Sequence, residues 1–564
     1  MDAVCKVKNT KFSLQAQQLF LREYMRKVDW RSLLLYHEIG SGKTCTAITM
    51  AEEYLKSNPT HKVKIVLPAR LRTNFLDEII SPCGLDAYIT PQDFALFNAP
   101  TTDAAQKSKI KSVFMAAITQ NYDIMSFEKL KSLAKAHHDN LKAWVDEFTK
   151  DAMIIIDEVH NLINDKYNID VVRGMLVDGK IDDLAGNAGS RNSLLFKFIT
   201  HYAHPSCKMV FLTATPIFDN IKQLKDVVEA LNPSFNTENA VKVADLLKGM
   251  RGKVSYFPGT SANAYPKVEF KTHVIQASPT QIDILKKIAS RAKIGDIDYT
   301  DSFLAKERQV LLSVKPMTLD NLSEYAPKVK AVVDNIVDHP GKHLVFSNFI
   351  QSGLNIVAAA LDQRGWKSMK EALLNPSLFK SHSSKIYARW DGAIKDADKQ
   401  HIKIVVNSLD NIAGQQVRVI LGSPSIKEGV SFKHIQHMHM LDPVWSYSAK
   451  TQVEGRAIRF CSHSEIDEKA DAPLRRLVKV HLYKCMADPK DLDETYADNY
   501  IYEKLMPLKM AKVAAGERAL KRIAIDHYLF RDLYAKNKPK PNPKTPVNIR
   551  PSPLGIANAD NVDL

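Results

Sequence analysis

The chain has 564 residues, 45% hydrophobic and 25% charged, which is ordinary for a soluble protein and enough for two or three domains with sizeable cores. Its net charge of +15 and pI near 9.2 are not ordinary and point to a polyanionic partner, most simply nucleic acid. Six scattered cysteines without a CxxC pair argue against a zinc site or a disulfide framework and for a reducing compartment. No apolar run reaches the ~18 residues of a membrane span, and MDAVCKVKNTKF lacks a signal peptide's apolar stretch, so the expectation is a soluble intracellular protein without a membrane partner.

The first element runs from Phe12 to Met25, FSLQAQQLFLREYM, with Leu14, Leu21 and Met25 on one helical stripe. Within it the Gln17 carboxamide gives and takes hydrogen bonds at once, as the edge of adenine requires, and Gln15 and Gln18 compete for that role. Leu33 to Tyr36 is the apolar run of a strand buried on both faces, followed by Gly40, Ser41, Gly42, Lys43, Thr44 and a helix-compatible run. Strand, glycine-rich turn and helix in that order predict a phosphate-binding loop. The glycines let backbone N–H groups approach phosphate oxygens, Lys43 adds a full charge, and the Thr44 hydroxyl is a ligand for Mg2+. One departure is visible: the pattern GxxxxGK[ST] wants glycine at position 37, and this chain has His37.

Val63 to Leu67 is a second buried strand, and Arg70, Arg72 and Asn74 beyond it suit either a phosphodiester backbone or a solvated helix start. Tyr122 to Phe127 predicts another strand. Met153 to His160, MIIIDEVH, places Asp157 and Glu158 at the C-terminal edge of a strand, where ligands of open α/β sheets gather. There Asp157 is expected to hold Mg2+ through a water, opposite Thr44, and Glu158 to orient and deprotonate an attacking water. Lys208 to Thr215 is the next strand and ends in the hydroxyls of Thr213 and Thr215.

The alternation gives one doubly wound lobe over residues 1–230, a crossing over 231–271 that contains RGKVSYF, and a second α/β lobe over 272–495. Strands of the second lobe are expected at His343–Ser347, Lys385–Trp390, Val417–Leu421, His437–Leu441 and Lys479–Tyr483. A helical extension over 496–535 and a disordered tail over 536–564 follow; its KNKPKPNPKTPVNIRPSP carries five cations, six prolines and no acid. Two stretches of the second lobe carry chemistry. GSPSIKEGVSF is a strand-end loop that contains Gly429, and QVEGRAIR, if helical, sets Arg456 and Arg459 on one face beside Gln452. Two guanidiniums suit the charge that spreads over a phosphoryl group in transfer.

Taken together, GSGKT, PARLRTNF, DEVH, TAT, VFSNF, SIKEGVS and QVEGRAIR resemble, in order, the motifs of superfamily-two helicases over about residues 12 to 485. LLLYHEIGSGKT, RGKVSYF, EGVSF and GRAIRFCSH further resemble the helicases of nucleocytoplasmic large DNA viruses. That group includes poxviral nucleoside triphosphate phosphohydrolase I and the small, ATPase subunit of the poxviral early transcription factor. The resemblance implies two tandem RecA-like parallel-sheet lobes with an ATP cleft between them, and a nucleic-acid-dependent ATPase, DNA more than RNA, in viral transcription. It also implies the viral RNA polymerase or a transcription-factor subunit as partner, and the virion core and host cytoplasm as location. Carried over by position, Gly40, Ser41, Gly42, Lys43, Thr44 and Gly429 bind ATP, Thr44 and Asp157 bind Mg2+, and Glu158 activates water. Gln17 then reads adenine, and Arg459 is the arginine finger with Arg456 and Gln452 as companions. An RNA helicase and an initiation-factor ATPase subunit are the alternative roles.

Overall fold

A computed structural model describes residues 14–38, 41–98, 102–163, 188–213, 223–235, 237, 240, 243–257, 265–289, 304–315, 319–381, 385–427, 430–466, 474–488, 490–492 and 496–529. The chain divides into two compact units, with divisions between residues 260 and 261 and between 510 and 511. The first unit therefore takes its described residues from 14–257 and 511–529, and the second from 265–510.

The first unit is a parallel sheet of β1 (Ser32–His37), β2 (Lys62–Leu67), β3 (Tyr122–Ser126), β4 (Ala152–Ile156), β5 (Lys208–Thr213) and β6 (Val254–Phe257), in the order β3-β2-β4-β5-β1-β6. Its central strands are near-continuous Val, Ile and Leu because helices cover both faces of such a sheet. β1, β4 and β6 are buried along their whole length. Helices α1 (Ala16–Lys27), α2 (Lys43–Ser57) and α3 (Arg72–Ile79) join Leu21, Ile48 and Phe75 to Leu33, Ile65, Ile155 and Val210 in one core. β4, β5 and β1 are neighbours, so Asp157, Thr213 and His37 arrive at the same carboxyl edge.

The second unit is a seven-stranded parallel sheet in the order β7-β13-β12-β8-β11-β10-β9. Its strands are β7 (Lys267–Gln276), β8 (Lys342–Phe346), β9 (Lys367–Ser368), β10 (Ile386–Trp390), β11 (Val419–Gly422), β12 (Ile435–Met440) and β13 (Leu477–Met486). Helices α4 (Tyr447–Glu454) and α5 (Met506–Ile523) matter below, and the division at 510/511 falls inside α5. β6 and the first half of β7 lie in the stretch expected as a crossing. β7 pairs with β13 over ten residues but reads as polar because most of it is exposed at the sheet edge.

A column of histidines crosses this second sheet. His273 Nε2 lies 2.8 Å from His481 Nδ1, His481 Nε2 lies 3.1 Å from His437 Nδ1, and His439 Nε2 lies 2.9 Å from His343 Nδ1. The His439 and His481 rings stack at 4.7 Å, and His343 and His437 at 4.6 Å. Burial first, then the neighbouring cations and histidines, lowers the pKa of His437 and His481 to about 3 and drives His343 and His439 well below the usual imidazole value.

Candidate active site

β1 delivers the chain into the turn that precedes α2, and α2 starts at Lys43 directly after Gly42. Gly42 has φ +78°, in the left-handed region, so a side chain here would strain the turn. No side chain caps α2, and the buried Ser41 Oγ has no hydrogen-bond partner among the described residues. An uncapped helix start leaves N–H donors in its first turn, and with Lys43 there the local chemistry suits an anion. Gly40 lies outside the described residues.

α1 closes this turn from the other side. Gln17 is buried, and its Nε2 donates to Gln15 Oε1 at 2.7 Å and toward the Ser41 carbonyl at 3.4 Å. Gln18 accepts the Gln15 N–H at 2.8 Å and so belongs to the start of the helix. Among the described residues, Gln17 is the one of the three competing glutamines that is hydrogen-bonded to Ser41, in the turn before α2.

Asp157 follows β4 and is buried, with its N–H donating to the Val66 carbonyl at 2.9 Å. Its carboxylate accepts the Glu158 N–H at 2.9 Å. Burial and repulsion from Glu158 push the Asp157 pKa up, while the Lys43 charge pulls it down, so ammonium and carboxylate interact across the site. Glu158 has φ +52°, uncommon for a residue with a side chain and a form of strain that collects at functional sites. His160 has no role that its sequence neighbours announce. It is buried, and its Nδ1 lies 3.2 Å from both Glu158 Oε2 and Thr213 Oγ1, so it ties DEVH to the end of β5. Thr215 lies outside the described residues.

In the second unit α4 ends at Glu454, so Arg456 and Arg459 do not share a helical face as the spacing suggested. Gly455 follows the helix, and the next residues form a tighter turn in which Arg456 N–H donates to the Val453 carbonyl and Ala457 N–H to that of Glu454. Arg456 is 8% exposed; its Nε donates to the Gln452 carbonyl and its Nη1 to the Val430 carbonyl, both at 3.0 Å. It thus laces the QVEGRAIR turn to the GVSF segment. Arg459 lies in the same turn, with its N–H donating to Ser462 Oγ at 3.3 Å. Gly429 lies outside the described residues.

The sequence of a putative ATP-dependent RNA helicase, R563, of Acanthamoeba polyphaga mimivirus is 30% identical over 520 residues, 84% of this chain and 82% of that one. The chain belongs to the superfamily-two helicases of large DNA viruses. The family model for the type III restriction enzyme res subunit matches residues 11–218 of this helicase, and that for the helicase conserved C-terminal domain matches 327–461. A termination factor NPH-I homolog of African swine fever virus is 22% identical over 82% of this helicase and 70% of its own length. Putative helicase 009L of Frog virus 3 is 24% identical over 89% of this helicase, which spans about half (52%) of that relative. The helicase is accordingly a nucleic-acid-dependent ATPase.

Two features of the helicase escape motif reading. Asp442, fully buried after β12, accepts from Ser347 Oγ at 2.6 Å, Asn348 N at 2.9 Å, Asn348 Nδ2 at 2.7 Å and Arg308 Nη2 at 2.9 Å, and so fixes the VFSNF segment. The cysteines, expected to be unpaired, are not all so: Cys45 of α2 is bonded to Cys83, and Cys461 is also disulfide-bonded, whereas Cys207 and Cys485 are free. The first pair is 38 residues apart and meets through packing of α2 on the turn after α3, which no local spacing announces. No helix among the described residues is long and apolar enough to cross a membrane.

Proposed function

We propose that this helicase couples ATP hydrolysis to movement on DNA in viral transcription, at termination or release. The observation that carries the hydrolytic part is the uncapped start of α2, with Lys43, facing buried Asp157 and the partly exposed Glu158 beside it at one carboxyl edge. Lys43 and the first-turn N–H groups hold the phosphates of ATP. The donor set, a Thr44 hydroxyl and an Asp157 carboxylate, consists of hard oxygens and fits Mg2+, which when bound neutralises phosphate charge. Glu158 aligns the attacking water and takes its proton. Arg459 offsets charge on the phosphoryl oxygens, and Arg456 holds its turn against Val430. Gln17 completes the nucleotide site from α1.

The net charge of +15 supports a nucleic-acid partner, and the NPH-I homolog's name supports a termination role, with DNA as the template and the viral RNA polymerase as neighbour. The mimivirus relative's name favours a second reading, an RNA helicase. ATPase assays with single-stranded DNA, duplex DNA and RNA separate the two. Stimulation by DNA and not by RNA is expected; stimulation by RNA alone would refute the DNA reading.

A further inference from the structure

Three buried polar side chains lie in series behind the phosphate loop, and the last comes from the C-terminal part of the chain. His37 closes β1, and its Nε2 lies 2.8 Å from Ser255 Oγ on β6. Ser255 Oγ in turn lies 2.5 Å from Asp526 Oδ2. His37 and Ser255 are 0% exposed and Asp526 is 1% exposed. Such groups are costly to bury, and a satisfied chain of them fixes geometry.

The directions of the bonds follow from the donor inventory. A carboxylate only accepts, so Ser255 donates to Asp526, and the serine oxygen accepts from His37 Nε2–H. His37 Nδ1 then carries the bare lone pair, consistent with its being buried without a hydrogen-bond partner among the described residues. Burial, and secondly the Lys43 charge, keeps the imidazole neutral. The order of groups is wrong for a hydrolytic triad, because the carboxylate touches the serine and the serine has no solvent access.

The same segment also closes the sheet. β6 is a four-residue edge strand. Ile525 N–H donates to the Val254 carbonyl at 2.8 Å, and Asp526 Oδ1 accepts the Tyr256 N–H at 2.9 Å, so outward backbone groups of the edge are paired. From β6 the contacts pass to the loop's entry: Glu38 N–H donates to the Phe257 carbonyl at 3.0 Å, and Tyr256 OH donates to Glu38 Oε1 at 3.0 Å. Tyr36 OH donates to Glu517 of α5, and Lys521 Nζ sits 4.7 Å from the Tyr256 ring centre.

We infer that Asp526 is a positioning residue for ATP binding, acting through Ser255 to fix the His37 ring and the backbone that enters the phosphate loop. The inference rests on the reading of residues 40–44 as that loop. His37, which breaks the glycine pattern, is then the receiving end of a contact from the C-terminal segment.

The test uses the full-length chain with Asp526→Ala, Ser255→Ala, the double variant, and Tyr528→Ala as a control at an 85% exposed site. ATP affinity by equilibrium titration, KM and kcat, nucleic-acid affinity and Tm are measured for each. Each relay variant is expected to weaken ATP binding and raise KM by about tenfold, with kcat and nucleic-acid affinity changing less. The double variant should be no worse than the worse single one, because both cut one path. Unchanged ATP affinity in folded Ser255→Ala, or losses that multiply in the double variant, would overturn the inference. Ser255→Ala leaves the Asp526–Tyr256 bond in place and decides the matter alone if Asp526→Ala does not fold. A Lys43→Ala variant that binds ATP as tightly as wild type would instead overturn the phosphate-loop reading.

Discussion

Acid should destabilise the second unit through its histidine column. His343, His437, His439 and His481 have pKa values far below the ordinary imidazole value, held there chiefly by burial, with Lys479 and Arg418 facing His437 and Lys271 facing His481. In the unfolded chain each titrates near ~6.5. Between that value and the folded pKa of about 3 at His437 and His481, the unfolded state takes up protons that the folded sheet refuses. Stability is thus fully present above the unfolded pKa and is lost as pH falls through this window. From about pH 7.5 to about pH 5.5 each such histidine costs roughly 1.4 kcal/mol, so four would cost at most about 5.6 kcal/mol. The assay is the denaturant midpoint of the full chain at both pH values, for wild type and for His437→Gln and His481→Gln. Each substitution should flatten the pH dependence by about 1.4 kcal/mol. Variants whose pH dependence matches that of wild type would show that these rings are not held neutral.

Glu158→Gln should leave ATP binding intact and lower turnover by about 10²-fold or more, read as single-turnover hydrolysis beside an equilibrium titration. Arg459→Ala should lower the rate by roughly 10³-fold with little change in ATP affinity, and a loss under about tenfold would remove it from the reaction. Asp442→Ala takes the carboxylate from buried Arg308 and should destabilise the second unit by about 3–5 kcal/mol in denaturant titrations. Reduction of the Cys45–Cys83 bond, or Cys83→Ser, should cost up to about 4 kcal/mol for a loop of this length, seen as a lower Tm.

The central strands were legible because parallel strands covered on both faces are written as runs such as LLLY, VKIVL and MIIID, and the passage from β1 to α2 because Gly42 suits a left-handed turn and the run from Lys43 suits a helix. The edge strands were not: β6 has four residues, and β7 faces solvent along most of its length, so neither shows an apolar run. Arg456 was legible as an important cation but not in its contacts, since the break at Gly455 and the pull of the Val430 carbonyl are tertiary facts. His160, Asp442 and Asp526 were illegible for the same reason. A lone histidine or aspartate shows its partner only when distant strands are brought side by side.

The return of the polypeptide to its first unit after completing the second bears on how the molecule is made. At roughly 5–20 residues per second, about 10–50 s separate the emergence of β6 from that of residues 511–529. Throughout that interval the nascent N-terminal half carries a bare strand rim and a Ser255 hydroxyl without its carboxylate. The ribosome-bound intermediate is therefore the species most exposed to self-association, and a recombinant fragment cut near residue 260 would be locked in that state.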